Sequence, residues 1–356
     1  MKKLAAAIAF YVLAVSSSQS VILLETGDPS VNTAPPDGTL QDSGWQYQGD
    51  WGSFLGTPIA PNFFISAAHI GLADVHLSFQ GSYYTLVRSF GLPGSDFLIW
   101  QVNETFPTFA PIYSKNDEAG QHLVVIGRGT ERGTEIMLDG TLRGWNWGGN
   151  AGTRRWGEND VASVVPYSGH DLLYATFDKS AQPNESHLSS GDSGGAVFLN
   201  DSGTWKLAGI NYAVDDLYSA PDPATKFNAA IFDARGFYQS DEKNPPTFTQ
   251  ITGSTAVPTG FYASRISSEL AWICSVIANP QVNYEAGELT VTYWRLVAST
   301  DEITYTVQQS VDLNSWSPAT TTDEILATVG DLELVKATIH PGDSTFLFAR
   351  LQVIRP

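Results

Sequence analysis

Short apolar runs broken by glycine, asparagine, aspartate and proline recur along most of the chain. Residues 123–126, 136–138, 171–177, 196–199, 206–210 and 227–232 are rich in β-branched and aromatic side chains and are bounded by turn formers. Runs of that length and composition predict β-strands, and from Phe54 onward their spacing predicts a barrel or a sandwich. One segment departs from the pattern. Within residues 263–278, Ile266, Leu270, Ile273 and Ile277 fall at i, i+4, i+7 and i+11, the stripe of an amphipathic helix. Asn279-Pro280 then stops it. Beyond residue 280, Leu289/Val291/Tyr293 and Ile303/Tyr305/Val307 alternate with polar positions and residues 346–354 form another strand-like run, predicting a small all-β module at 281–356. Residues 21–44, with Pro29, Pro35, Pro36 and Gly38, read as an extended leader. Residues 140–157 carry Trp145, Trp147 and Trp156 among six glycines, the composition of a loop with aromatic anchors.

The first twenty residues have a different logic. Lys2 and Lys3 precede an apolar run at 4–15, followed by small polar residues at 16–20, the pattern of an export signal cleaved after Ser18 or Ser20. The run is shorter than the roughly 20 residues a spanning helix needs, so the expectation is a secreted or periplasmic protein without a membrane span. The 356 residues suffice for two domains, or for one large domain with an appendage. With 42% hydrophobic and 16% charged residues, neither wholesale disorder nor a coiled coil is expected. The net charge of -18 repels a phosphate backbone, which argues against a nucleic-acid partner. Cys274 is the single cysteine and lies in an apolar segment, so no intrachain disulfide forms and the thiol reads as a packing residue. No cluster of histidine and cysteine has metal-ligand spacing, and neither a metal nor a cofactor is expected.

Three separated segments carry chemistry. Gly191-Asp192-Ser193-Gly194-Gly195 stands directly before the apolar run at 196–199, placing Ser193 in a glycine-flanked turn where its hydroxyl and backbone N–H are displayed together. An acyl-transfer nucleophile needs that display, an adjacent base, and donors for the oxyanion, for which the N–H groups of Gly191 and Ser193 are the candidates. Phe64-Ile65-Ser66-Ala67-Ala68-His69 ends an apolar run in two small residues and a histidine. Asp96 stands at the entrance to Phe97-Leu98-Ile99-Trp100, where a carboxylate needs a partner.

In this order, histidine, aspartate, serine, the chain resembles the trypsin/chymotrypsin family. The resemblance spans roughly residues 45–280 and includes Gly56-Thr57-Pro58-Ile59-Ala60-Pro61 and Leu207-Ala208-Gly209-Ile210. It implies an all-β fold of two six-stranded antiparallel β-barrels with a C-terminal helix, followed here by a small β-sandwich module. It implies a serine endopeptidase with His69 as general base, Asp96 orienting it, Ser193 as nucleophile, and Gly191 and Ser193 forming the oxyanion hole. A protein or peptide substrate would lie along an edge strand at Asn211, Tyr212 and Ala213. The rival reading is a catalytically silent binding protein on the same scaffold, and an esterase would share the mechanism.

The departures define what to look for. No Ile-Val-Gly-Gly-like activation sequence precedes the domain, although in many members a new N-terminal amine pairs with the aspartate matching Asp192, so Asp192 needs another partner or a further maturation step. His187, six residues before Ser193, falls at the expected pocket floor and favours an acidic side chain if protonated. Val214, where a glycine usually opens the pocket, favours a small one. Both preferences stay open, while a basic one lacks its carboxylate. The C-terminal module has no serine, histidine and acid arrangement and is expected to bind a surface or partner. His340 reads as a turn residue.

Overall fold

The computed structural model describes residues 20–355 except 151, 180–181, 216, 221–225, 241–246, 298–302 and 341–347. All of the expected export signal except Ser20 therefore lies outside the described residues, as do Asp216 and Pro341-Gly342.

Six strands, Gly49–Trp51, Phe54–Ala60, Phe63–Ala67, His76–Phe79, Ser82–Gly91 and Phe97–Val102, close into a barrel. Burial alternates in two of its strands, through Phe97 and Ile99 and through Leu77 and Phe79, while Phe63–Ala67 is buried throughout. A seven-stranded antiparallel sheet follows, from Arg155–Asp160 at one edge to Ser163–Tyr167 at the other. These two edges are halves of one bent strand, separated only by Val161 and Ala162. The Ala162 N–H donates to Tyr174 O, and Asn159 Nδ2 reaches Thr176 O, both in the strand beside the opposite edge. Counted through that bend, the sheet is a second ring of six: His122–Gly127, the bent strand, His170–Thr176, Gly260–Arg265, Thr204–Val214 and Ala196–Asp201. This is the two-barrel architecture that the resemblance implies.

Two local readings are corrected by packing. The glycine- and tryptophan-rich segment is strand rather than loop over Thr141–Asn150 and Arg155–Asp160. Gly144 there lies so close to a neighbouring strand that a Cβ would stand 2.2 Å from Ala230 O, which accounts for a glycine inside the strand. The helical stripe is right, since Ile266, Leu270, Ile273 and Ile277 are all buried, but the helix is short. Residues Gly260–Arg265 pair on both sides as a central strand, a 3-10 turn spans Ser267–Glu269, and the α-helix runs Leu270–Ile277. Cys274 is buried on its inner face, and burial pushes the thiol up to about 12, as an inert packing residue requires.

Residues 21–44 carry little regular structure yet are built into the molecule. Val21, Ile22, Leu23 and Leu24 are buried, and Ile22–Leu23 pairs with Ser186–His187. Two arginines hold this segment by its carbonyls: Arg132 donates to Leu23 O and Leu24 O, and the fully buried Arg155 donates to Val31 O and Asp28 O.

The described residues from 281 onward include a four-stranded sheet, from Gln281–Glu285 to Thr321–Val329, and a three-stranded one built on Thr304–Ser310 and Phe348–Ile354. They are not loosely appended. Leu296, Ile303 and Leu332 share one apolar cluster with Leu270, Ile273 and Ile277 of the helix and with the interiors of both barrels. At about 1.5–3 kcal/mol per buried side chain, three such contacts approach the net stability of an ordinary domain. Ending the chain after residue 280 is therefore expected to lower its melting temperature by more than 10 °C or make it insoluble, measured by scanning calorimetry beside the full chain.

Candidate active site

The two barrels meet at His69, Asp96 and Ser193. His69 sits in the 3-10 turn Ala68–Ile70 that ends the strand Phe63–Ala67, and Gly71, with φ +65°, lets the chain turn away. The Ala68 N–H donates to Asp96 O at 2.6 Å, so the two segments are tied by backbone before any side chain is considered. The Asp96 carboxylate accepts the His69 backbone N–H on Oδ1 and lies 2.8 Å from His69 Nδ1 through Oδ2. With both oxygens engaged, the carboxylate fixes the ring plane and places a proton on Nδ1. The opposite nitrogen, Nε2, is then an acceptor, 2.7 Å from Ser193 Oγ. The Asp96 side chain is 10% exposed and that of His69 39%, so the carboxylate is shielded while the imidazole edge stays open to a reactant.

The Ser193 turn is held by its neighbours. Gly191 and Gly194 have φ of +93° and +75°, which a side chain would strain. The Gly194 N–H donates to Asn211 O and the Asn211 N–H to Gly195 O, stitching the turn to the strand Thr204–Val214. Among the described residues, no protein group accepts from the N–H of Gly191 or Ser193. Both donors are therefore unengaged by the protein groups described.

Asp192 has the partner that the sequence left unnamed. It is buried, its Oδ1 accepts from Gly129 N at 2.7 Å and Val21 N at 3.4 Å, and its Oδ2 accepts from Ser189 N at 2.7 Å and Ser189 Oγ at 3.0 Å. Burial raises its pKa to about 6, with these donors pulling the other way. Ser20 Oγ, one residue upstream, donates to Gly127 O. Val21 has φ +50°, an outlier for a β-branched residue.

A cavity of about 220 Å³ opens beside Ser193, lined in part by Trp147, Leu188, Ser190, Ala213 and Val214. Among the described residues, its one charged wall residue is Asp192, whose carboxylate is already surrounded by donors. His187 does not reach it, which corrects the expectation of a histidine floor. That ring is fully buried between Phe177 and Phe261, with Nδ1 2.6 Å from Leu188 O and Nε2 3.2 Å from Thr259 Oγ1. Burial lowers its pKa, so it stays neutral and offers no cation to an acidic substrate. Asn211 is buried, with Nδ2 donating to Ile126 O and Asp192 O, and acts from beneath the Ser193 turn. Tyr212 lies edge-on to His69 at 5.9 Å. Among the described strands, only Gly260–Arg265 pairs with Ala213 and Val214, through a bulge between Asn211 and Ala213, so their other edge faces the cleft.

Sequence reasoning missed Val21, Ser189, Trp147 and Arg155. The signal for Val21 was present: an apolar run, Val21-Ile22-Leu23-Leu24, directly follows the small residues of the cleavage region.

No known protein-family pattern matches the chain, and no curated protein sequence does. Solved structures do. Neuropsin, a serine protease expressed in the limbic system of mouse brain, matches with 14% identity over 66% of this chain and 96% of its own, at a TM-score of 0.38. Kallikrein-related peptidase 10 matches with 13% identity over 68% and 98%, at 0.38. The inactive form of the Rv3671c protease matches with 15% identity over 67% and 98%, at 0.36. The structures matched are trypsin/chymotrypsin-like serine proteases. At these overlay scores they carry nothing about activity, and the functional reading rests on the side chains.

Proposed function

We propose that the chain is an exported serine endopeptidase. The observation that supports this best is the engagement of His69 through opposite ring nitrogens, one to Asp96 and one to Ser193. In this reading His69 takes the Ser193 proton as Oγ bonds to the substrate carbonyl carbon. The carbonyl oxygen becomes an oxyanion between the Gly191 and Ser193 N–H groups, and the proton on Nε2 then passes to the leaving amine. Water, deprotonated by the same nitrogen, releases the acyl group. Asp96 holds the tautomer and balances the imidazolium charge. An extended peptide would add to the open edge at Ala213–Val214, with the preceding side chain in the cavity beside Ser193. Among the described residues that cavity presents no cation, and its one carboxylate is surrounded by donors, so a neutral side chain of modest size fits it best.

The same reading gives the N-terminus a role. Cleavage between Ser20 and Val21, one of the two sites expected for signal removal, would convert the Val21 amide into an ammonium already beside Asp192.

The test is intact-mass analysis after treatment with a fluorophosphonate. One adduct is expected on the parent, and none on Ser193→Ala or His69→Ala. A folded parent without an adduct would favour the silent binding protein. Matched peptide and ester substrates separate a peptidase from an esterase.

A further inference from the structure

A second histidine–acid pair lies next to the catalytic one and belongs to the other barrel. His170 opens the strand His170–Thr176, after the turn Ser168-Gly169, both at positive φ. Its Nδ1 is 2.9 Å from Glu269 Oε1, in the 3-10 turn before the helix, and its Nε2 is 3.2 Å from Pro93 O. Pro93-Gly94 forms the turn closed by Ser95 N to Leu92 O, and Asp96 follows at once. Gly94 has φ +82°, and a Cβ there would stand 3.1 Å from His170 Nε2, so the ring rests directly on the turn. His170, Glu269, Gly94, Asp96 and His69 line one cavity of about 170 Å³.

Both neighbours of the ring are acceptors, a carboxylate and a carbonyl. A neutral imidazole carries one N–H and fills one of them, whereas the imidazolium fills both. The Asp96 turn therefore has a support from the second barrel that is complete only when His170 is doubly protonated.

We propose that His170 is a positioning residue: its imidazolium, anchored by Glu269, holds the Pro93–Gly94 turn and through it the seat of Asp96 against His69. This rests on the serine-peptidase reading. Asp96 is fixed to its own barrel by Ala68 N and to His69 by two bonds, but the turn that delivers it has an acceptor facing outward. Losing the His170 bond frees that turn to shift, and displacement of a catalytic group by about an ångström costs up to about a hundredfold in rate. The other ionisable groups around the cavity are Asp171, paired with Arg265 at 3.0 Å, Tyr167 and Tyr212.

The experiment measures the rate of Ser193 labelling by a small fluorophosphonate across pH for the parent, His170→Phe, His170→Gln and Glu269→Gln, with melting temperatures alongside. The small probe keeps distant substrate contacts out of the result. His170→Phe, which fills the space without a donor, is expected to label about tenfold more slowly. His170→Gln, with one donating amide, falls between, a partial rescue that lost packing alone would not give. Equal rates for the parent and His170→Phe, or for His170→Phe and His170→Gln, would overturn the inference while leaving the peptidase reading intact. An unlabelled parent would overturn both. Should His170→Phe fail to fold, His170→Gln and Glu269→Gln carry the same comparison.

Discussion

Ser193→Ala is expected to lower kcat by about a millionfold, with KM little changed, and His69→Ala by a similar factor. The factors do not multiply in the double variant, because the two groups act as one unit through the 2.7 Å contact between Nε2 and Oγ. Asp96→Asn separates the roles further. The asparagine amide still reaches His69, but where its NH₂ faces Nδ1 it donates instead of accepting, so the imidazole proton moves to Nε2 and the ring can no longer take the serine proton. A loss of about ten-thousandfold in kcat is expected. Raising the pH is not expected to recover it, because the fault is the tautomer and not the charge. Progress curves with a chromogenic peptide over a range of pH check all three. A residual rate for Ser193→Ala within tenfold of the parent would remove the serine from the mechanism.

The arrangement of His69, Asp96 and Ser193 was legible because each member sits in a segment whose local chemistry is hard to explain otherwise. A glycine-flanked serine precedes a buried strand, a histidine follows two alanines, and a carboxylate opens an apolar run. Where reasoning ran along the chain it failed for physical reasons that the structure makes plain. Counting six residues back from Ser193 gave His187 as a pocket floor. Its pairing with Ile22 instead turns the ring into the core, against Phe177 and Phe261. Side chains of a strand alternate between faces, and a count along the sequence does not say which face a residue takes. The helix stripe at Ile266–Ile277 was real, yet the residues before it were claimed by two neighbouring strands, an override that local periodicity does not reveal. The contact between Val21 and Asp192 spans 171 positions. A single sequence contains no pairing information at that range, so Asp192 could be seen to need a partner but not to have one. His170 was passed over for a similar reason: its two acceptors come from segments 77 and 99 positions away.

Cleaving the Ser20–Val21 bond is expected to raise peptidase activity by at least a hundredfold over a precursor that keeps the bond. In the intact chain the neutral Val21 amide faces the carboxylate at 3.4 Å, and burial holds the Asp192 pKa near 6, well above its ordinary value. The sign follows by linkage. A carboxyl whose folded pKa is raised binds protons more tightly in the folded state, so this group makes the intact chain lose stability as pH rises from about 4 to about 6. Cleavage replaces the amide by an ammonium, which favours the carboxylate and draws its pKa down, so that loss diminishes in the mature chain. Val21 gains in a second way. Its positive φ is a torsion that includes the Ser20 carbonyl carbon, and the strain of a β-branched residue held there ends when that carbon is gone. Both effects are expected to tighten the seat of Asp192, whose neighbours Gly191 and Ser193 are the proposed oxyanion donors. The mature enzyme is then expected to lose activity on the alkaline side as the α-amine gives up its proton, above its ordinary range of about 8 because the carboxylate holds it. Acetylating the mature N-terminus, or replacing Asp192 by asparagine, removes the ion pair from either side. Each is expected to reduce kcat to the level of the precursor, and full activity in the acetylated protein would show that the amide contact alone suffices.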